Sequence, residues 1–384
     1  MMRPGFGSRL TSIFIAIGLI APLLANAHDD DRRRGKPLNL ETLTGLQAKA
    51  LLDSGKLTSV ELTKAYIERI EALNKRGPGL NAVTQLNRNA LKDAARLDWE
   101  RKRGIVRSAA HGMPVLLKDL IDVKGMYTSA GNYSLRQSFP DKDSGVAEKL
   151  RERGVVILGK LGLSEYANFF GNQPSGFSNL TGQVLNAVDA DQNPSGSSSG
   201  SGAAGAAALS LLTIGTETSG SIISPARAQS LVGLRPTVGL VPGVGIAPIS
   251  ASQDTAGPMD RTVEQAALTL TAIAGQDPES SYDGLWGLTP EEDDLVIPPA
   301  PATVPNYMSA LTMSFVNGKR IGYNLPTLSS PPTEAQLEAT AVLLEAKAAL
   351  EAAGAILVER PVLTPPLVFP TGSILNSEAR RDIN

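Results

Sequence analysis

Apolar residues recur along this chain at spacings that predict helices joined to strands. Residues 58–61 (Thr-Ser-Val-Glu) form a capping box, in which a threonine and a glutamate three positions later satisfy the first amide groups of a helix. Leu62, Tyr66, Ile70 and Leu73 then follow at helical spacing. The pattern predicts an amphipathic helix over 58–74.

The same arrangement of helix, glycine and apolar strand occurs twice more. Residues 146–153 predict a helix that ends at Gly154, and the apolar run 155–158 predicts a strand. Residues 333–336 (Thr-Glu-Ala-Gln) open an Ala/Leu/Glu-rich helix, which Gly354 closes before a strand over 355–358. This alternation predicts an α/β fold with a helix-covered sheet.

Composition narrows the function classes. The 384 residues are 42% hydrophobic, and 36 Lys+Arg stand against 38 Asp+Glu, which gives a formal net charge of −2 and no basic run for nucleic acid. The sequence has no cysteine, which excludes disulfides, thiolate nucleophiles and Cys-ligated metals. Its two histidines, His28 and His111, are too few for a usual His-built metal site.

The first residues have the layout of a secretory signal peptide. Residues 1–27 combine Arg3 and Arg9, an apolar run over 10–24 and a final Ala-Asn-Ala. The alternative is a membrane anchor, but the apolar run is shorter than the ~20 residues that a spanning helix needs. We expect cleavage after Ala27, export to the periplasm or the extracellular space, a polar segment over 28–40 and no stable membrane anchor.

Two segments interrupt the regular pattern. The first, over 276–306, is rich in Asp, Glu and Pro and predicts a surface excursion. The second, over 193–205, is rich in Gly and Ser and precedes the run of small and apolar residues over 203–212, which predicts a tightly packed helix. A flexible linker would not enter a core element, and a phosphate-binding loop lacks its lysine, because none occurs between Lys160 and Lys319.

A catalytic interpretation remains for these Gly/Ser residues. A second small-residue turn spans 215–222, where consecutive backbone N–H groups from Thr218 to Ser221 could form an oxyanion hole, with Ser221 as the nucleophile. His111 and Lys118 are the candidate bases. Lys118 ends the apolar strand that begins at Val115, so burial could remove its proton.

Four ordered motifs resemble the amidase signature family. They are His-Gly-Met-Pro-Val-Leu-Leu-Lys-Asp at 111–119, Gly-Ser-Ser-Ser-Gly-Ser at 196–201, Gly-Thr-Glu-Thr-Ser-Gly-Ser-Ile at 215–222 and Val-Gly-Leu-Arg-Pro-Thr-Val-Gly at 232–239. The resemblance extends from about residue 40 to the end of the chain. It implies an α/β/α sandwich with a mixed central sheet covered by helices, and an amidase domain over 41–384.

The resemblance also implies a Ser-cisSer-Lys triad made of Lys118, Ser197 and Ser221. In this triad the neutral lysine takes a proton from the bridging serine, which takes one from the nucleophile. Backbone N–H groups of Thr218, Ser219, Gly220 and Ser221 would hold the oxyanion. Ser198 is the alternative bridging residue, because Ser199 stands where the family has glycine, and Asp119 is a supporting candidate.

The implied activity is hydrolysis of a carboxylic or peptide C-terminal amide through a serine acyl-enzyme, with no metal or organic cofactor. An esterase or aryl-acylamidase on the same triad and a non-catalytic family member are the alternatives. Ile223 stands where many members have arginine, which favours the peptide-amidase-like secreted branch over the tRNA-linked amidotransferase branch. Members generally continue beyond the equivalent of Asn384, so we expect a C-terminally short form that is marginally stable and weakly active or inactive despite an intact triad. The alternative is a compact short member. Oligomeric state and the particular amide are not encoded in any motif.

Overall fold

A mixed sheet forms the centre of the described structure. The computed structural model describes residues 38–170, 173–250, 252–276, 303–325 and 328–359. Its strands are β1 (Val83–Leu86), β2 (Pro114–Lys118), β3 (Val156–Leu161), β4 (Phe177–Ser178), β5 (Gly182–Gln183), β6 (Leu212–Glu217), β7 (Val232–Gly233), β8 (Thr255–Asp260), β9 (Arg320–Tyr323) and β10 (Ile356–Glu359). Six of them follow the order β1-β3-β2-β6-β8-β7. The central strands β3, β2 and β6 are parallel, whereas β1 and β8 run antiparallel to their neighbours.

Helices flank this sheet. They are α1 (Gly45–Asp53), α2 (Ser59–Leu73), α3 (Ala90–Lys102), α4 (Gly145–Glu152), α5 (Ser199–Ala206), α6 (Ile223–Ala228) and α7 (Val263–Ile273), whereas α8 (Glu334–Ala352) joins the two strands of a separate sheet, β9 and β10. Helix α5 packs against β2, β6 and β8, α3 and α4 pack against β3, and α7 packs against β6 and β8. Every residue of the parallel strands β2, β3 and β6 is buried, as helices on both faces of a sheet require, and the antiparallel strand β8 is buried as well. The predicted fold class, an α/β architecture with a mixed sheet covered by helices, is confirmed.

The local signals in the sequence position these helices well. Thr58 caps α2 by accepting from the N–H of Glu61 at 3.1 Å, and the Glu61 carboxylate accepts from the N–H of Thr58 at 2.8 Å. Thr333 and Gln336 make the same reciprocal cap on α8. Gly154 and Gly354 both follow helix ends with φ of 72° and 86°, the left-handed conformation that favours glycine. The helix boundaries differ from the predicted ones by one or two residues.

The apolar run over 203–212 was wrongly predicted as one helix. Helix α5 begins earlier, at Ser199 within the Gly/Ser segment, and ends at Ala206. Ala208 then adopts a φ of 51°, and the chain enters β6 at Leu212. A continuous apolar run fits a buried helix and a buried strand equally well, so its periodicity could not locate the change between the two.

Helix α8 is far more exposed than α4, the helix that precedes β3 in the six-stranded sheet. Strands β9 and β10 pair in parallel and are joined by α8, within which no residue is buried. Leu337, Val342 and Leu344 are 52%, 65% and 47% exposed. In contrast, α4 buries Val146, Ala147 and Leu150.

Several predictions fall on parts of the chain outside the described ranges. These are the signal peptide over 1–27, nearly all of the polar segment over 28–40, most of the surface excursion over 276–306 and the tail after 359. The compact unit that contains the sheet begins at Asn39. No helix within the described ranges combines the length and the apolar character needed to cross a membrane.

Candidate active site

Strand β2 carries Lys118 into the interior. All five residues of the strand are buried, and Lys118, the last of them, has no exposed surface. Desolvation by this burial lowers the pKa of Lys118 from an ordinary value of 10.5 to about 7, although the Asp254 and Glu217 carboxylates act in the opposite direction. A lysine with this pKa is substantially neutral near neutral pH and can accept a proton.

Ser197 receives the hydrogen bond of this lysine. The Lys118 Nζ donates to the Ser197 Oγ at 2.8 Å and lies 3.4 Å from the carbonyl oxygen of Thr216. The peptide bond between Gly196 and Ser197 is cis. The Ser197 carbonyl accepts from the N–H of Ser164 at 3.0 Å. Hydrogen bonds thus hold both the side chain and the main chain of Ser197.

Ser198 has different partners. Its Oγ donates to the carbonyl oxygen of Thr216 at 3.0 Å and accepts from the N–H of the same residue at 3.2 Å. These bonds attach the start of α5 to β6. The structure therefore places Ser197, rather than the alternative Ser198, on Lys118.

Ser221 lies in the turn after β6. The backbone N–H groups of Ser219, Gly220 and Ser221 donate to no acceptor within the described part of the protein, and Gly220 has a φ of 84°. This left-handed glycine between two serines lets successive N–H groups converge, as in anion-binding nests. Ser197, Thr218 and Ser221 line one narrow cavity together. The structure thus brings both serines of the predicted triad to a common space beside Lys118.

Two carboxylates that the sequence analysis did not select hold this turn. The Glu217 carboxylate accepts from the N–H groups of Ile222 and Ile223 at 2.7 and 3.0 Å and pairs with Arg235 at 3.3 Å. Asp254 accepts from the Thr218 hydroxyl. Glu217 lies within the family-like motif at 215–222, but neither residue type nor spacing distinguishes a carboxylate that fixes a turn from one that reacts.

Asp254 also fixes the segment opposite the turn. Its second carboxylate oxygen accepts from the N–H groups of Ile249 and Ser250 at 2.7 and 2.9 Å. Since Ile249 also lines the narrow cavity, one carboxylate connects two of its walls.

Asp119, the supporting candidate, belongs to a different cluster. Its carboxylate pairs with Lys160 Nζ at 3.2 Å, with both side chains fully buried, and accepts from the Ser129 hydroxyl. Consecutive residues of an extended chain point to opposite faces of a sheet. Asp119 accordingly pairs with Lys160 on β3, and no hydrogen bond joins it to Lys118 in the described structure.

His111, the other candidate base, is a buried structural residue. Its Nε2 lies 3.0 Å from the carbonyl oxygen of Leu97, and its Nδ1 accepts from the N–H of Arg107 at 3.3 Å. These partners require the tautomer with the proton on Nε2. Desolvation lowers the pKa of His111, which favours this neutral form. Neither ring nitrogen bonds to Ser197 or Ser221.

A larger cavity of about 500 Å³ adjoins the narrow one. The two share five lining residues, which are Leu120, Ala167, Ile246, Ala247 and Ile249. Tyr166, Phe169 and Phe170 form an aromatic wall of the larger cavity, with ring centroids 5.0 to 5.2 Å apart. The site thus consists of a polar, narrow end with two serines and a roomy, mainly apolar end. No group of three His, Asp or Glu side chains in the described ranges could hold a metal ion.

Comparison with known proteins agrees with this architecture. The sequence profile of the family described as Amidase matches residues 61–379. A protein named as an amidase in Arthroderma benhamiae is 40% identical over 316 residues, which are 81% of this chain and 50% of that protein. Native peptide amidase from Stenotrophomonas maltophilia has a TM-score of 0.77 and 41% identity, over 89% of this chain and 67% of that structure.

A more distant relative belongs to another activity class. A glutamyl-tRNA(Gln) amidotransferase chain from Cereibacter sphaeroides is 34% identical over 288 residues, which are 74% of this chain and 53% of that protein. The present chain belongs to the amidase signature family. It spans about half the length of the curated relatives it matches.

Proposed function

We propose that this protein hydrolyses carboxylic amides through an acyl-enzyme on Ser221. The observation that carries the proposal is the fully buried Lys118, hydrogen-bonded to Ser197 beside the cavity that Ser197 and Ser221 share. Family membership and the peptide amidase relative support the same reaction. The identities of 40–41% to amidases favour the peptide-amidase-like branch, with peptide C-terminal amides as the substrate class.

The proposed reaction has two stages. Ser221 Oγ attacks the amide carbonyl carbon while its proton passes to Ser197, which gives its own proton to neutral Lys118. The N–H groups of Ser219, Gly220 and Ser221, together with Thr218, stabilise the oxyanion. Return of the proton through Ser197 to the leaving nitrogen breaks the C–N bond. Water then hydrolyses the Ser221 ester, and the acid and the free enzyme are regenerated.

Labelling with a fluorophosphonate, followed by mass spectrometry, tests the nucleophile. We expect the adduct on Ser221 and none in Ser221→Ala, with loss of amide turnover in the same variant. A label on Ser197 or Ser198 would overturn the assignment. Turnover of the ester member of a matched ester and amide pair, without the amide, would favour the esterase alternative. A stably folded protein that shows neither labelling nor turnover would favour the alternative of a non-catalytic family member.

We also propose that the protein is exported. The support is the charged, apolar and small-residue order of residues 1–27. N-terminal sequencing of protein recovered from the periplasm or medium should begin at His28. Recovery only from the cytoplasm with Met1 intact would contradict export.

A further inference from the structure

The larger cavity contains one carboxylate that the proposed reaction does not use. Among the described lining residues, Asp122 is the single acidic side chain and none is basic. The other polar lining groups include the hydroxyls of Thr128 and Ser138, while most of the remaining surface is apolar. A lone acid in an apolar cleft is an orienting group of the type that gives small-molecule sites their specificity.

The position of Asp122 is fixed relative to the reacting end of the site. Lys118, Leu120 and Asp122 follow one another along the segment that leaves β2, and Leu120 lines both cavities, whereas Asp122 lines only the larger one. The Asp122 N–H donates to the carbonyl of Gly245 at 2.8 Å, and its carbonyl accepts from the N–H of Ser144 at 3.0 Å. Four residues of chain reach at most about 14 Å, which bounds the separation of the Lys118 and Asp122 Cα atoms.

A buried network supports Asp122 from behind. Lys160 Nζ donates to the Thr128 hydroxyl at 3.2 Å, and Thr128 lines the larger cavity together with Asp122. The same lysine is ion-paired with Asp119 at 3.2 Å. Lys160 thus pairs directly with Asp119 and acts on Asp122 through its charge alone, and Asp122, the partly exposed carboxylate, faces the cavity. Burial raises the pKa of Asp122, while Thr128 and the charge of Lys160 act in the opposite direction. A carboxylate that faces a cavity with no basic side chain among its described lining residues is complementary to a cation.

The aromatic wall of the same cavity suits an apolar body. Phe170 is 63% exposed although it packs edge to face with Tyr166 and Phe169. Tyr166, Ala167 and Asn168 all have positive φ, between 46° and 65°. Strained backbone of this kind persists only where the surrounding structure maintains it, and it is concentrated at functional sites.

We propose that Asp122 is a specificity-determining residue, which binds a protonated amine on the acyl portion of the amide substrate. The preferred substrates are amides whose acyl group joins an apolar or aromatic body to an ammonium group, such as a short peptide amide with a free amino terminus. The inference rests on the proposed amidase function. In the complex, the scissile carbonyl lies at Ser221, the apolar body lies along the shared wall at Leu120, and the ammonium group pairs with Asp122.

Matched substrates test this directly. Peptide amides of one sequence, with either a free or an acetylated amino terminus, are assayed with wild type, Asp122→Asn and the control Asp143→Asn. Asp143 lies outside the described cavity lining, where it pairs with Arg151 at 2.6 Å. We expect wild type to prefer the free amine at least tenfold in kcat/KM, and Asp122→Asn to abolish that preference with less than a threefold change for the acetylated series. Asp143→Asn should retain the preference.

Salt dependence supplies a second measurement that needs no variant. The wild-type preference should shrink between low and high ionic strength, because salt screens the attraction at a partly exposed carboxylate. Equal kcat/KM for the two series, or equal losses in both with Asp122→Asn, would overturn the inference and leave the amidase function standing. Absence of turnover with every amide of both series would overturn both.

Discussion

Lys118 and Lys160 are buried lysines on neighbouring strands with opposite surroundings. In the register of β2 and β3, Leu117 pairs with Lys160 and Lys118 pairs with Leu161, so the two ammonium groups leave opposite faces of the sheet. Lys160 meets the Asp119 carboxylate, whereas Lys118 meets the Ser197 hydroxyl. Both have no exposed surface.

The difference teaches what burial of a lysine can be used for. Burial lowers the pKa of Lys160, but the direct partner Asp119 opposes this effect by favouring the charged form. Lys118 has the Asp254 and Glu217 carboxylates near enough to raise its pKa but forms no ion pair within the described ranges, so desolvation dominates and the pKa falls to about 7. One lysine stabilises a buried pair, and the other is available for proton transfer.

The largest expected effect separates the two lysines by activity. Lys118→Met should lower kcat for amide hydrolysis by roughly 10⁴-fold, the upper range for loss of a general base. Lys160→Met that has folded should retain Ser221 labelling by a fluorophosphonate, because the Lys160 ammonium group bonds to Asp119 and Thr128 and, in the described structure, to neither serine. If Lys118→Met kept more than a tenth of wild-type kcat, Lys118 would not be the base.

Substitution of Lys160 should lower the stability of the protein, whereas substitution of Lys118 should not. Lys160→Met leaves the Asp119 carboxylate buried and unpaired, so we expect the free energy of unfolding to fall by about 3–5 kcal/mol in urea titrations. The double variant Lys160→Met/Asp119→Leu should be more stable than Lys160→Met alone. A double variant as unstable as that single one would show that packing, and not charge, governs this position.

Lys118→Met should instead raise stability. A depression of the pKa from 10.5 to about 7 destabilises the folded state by on the order of 5 kcal/mol, and the variant avoids this cost. Loss of the hydrogen bond to Ser197 offsets about 1 kcal/mol of the gain. Because the folded-state pKa lies below the unfolded one, wild type should gain stability as pH rises from 7 to 10.5. The advantage of the variant should therefore be greatest below pH 7. Urea titrations at pH 6 and pH 9 measure it, and an equal difference at both would contradict the cause.

The pH dependence of the reaction sharpens the same comparison. Neutral Lys118 is the active form, so kcat/KM for an uncharged amide should rise about tenfold per pH unit well below 7 and level off above it. His111→Ala should keep that profile although it weakens folding, since the ring nitrogens of His111 bond to Leu97 and Arg107 and not to either serine of the site. Loss of the rise in kcat/KM below pH 7 in His111→Ala would point to a histidine-based relay.

The smallest expected loss of activity is that of Ser198→Ala, in comparison with its neighbour Ser197. Ser197→Ala should remove most of the turnover, whereas Ser198→Ala should lower the free energy of unfolding by roughly 1–3 kcal/mol through its lost bonds to Thr216 and reduce kcat less than Ser197→Ala does. Comparing kcat with denaturation midpoints for each variant gives both values. The reverse order of activity losses would return the bridging role to Ser198.

The sequence alone determined the features that depend on neighbours along the chain. Capping boxes located the starts of α2 and α8, glycines located helix ends, and the apolar run from Val115 located the strand that buries Lys118. The motifs that resemble the family selected Ser197 and Ser221, which the structure places around one cavity. Such signals act within a few residues, so they can be read without the fold.

Tertiary structure decided which side chains face one another. The pairing of Asp119 with Lys160 depends on the register between β2 and β3, and the attachment of Ser198 to Thr216 depends on α5 packing against β6. Asp122 reaches the larger cavity only because its backbone bonds to Gly245, more than a hundred residues away. Carboxylates have the same local signal whether they fix a turn, pair with a buried lysine or face a cavity. Their roles follow from long-range neighbours, which local spacing cannot specify.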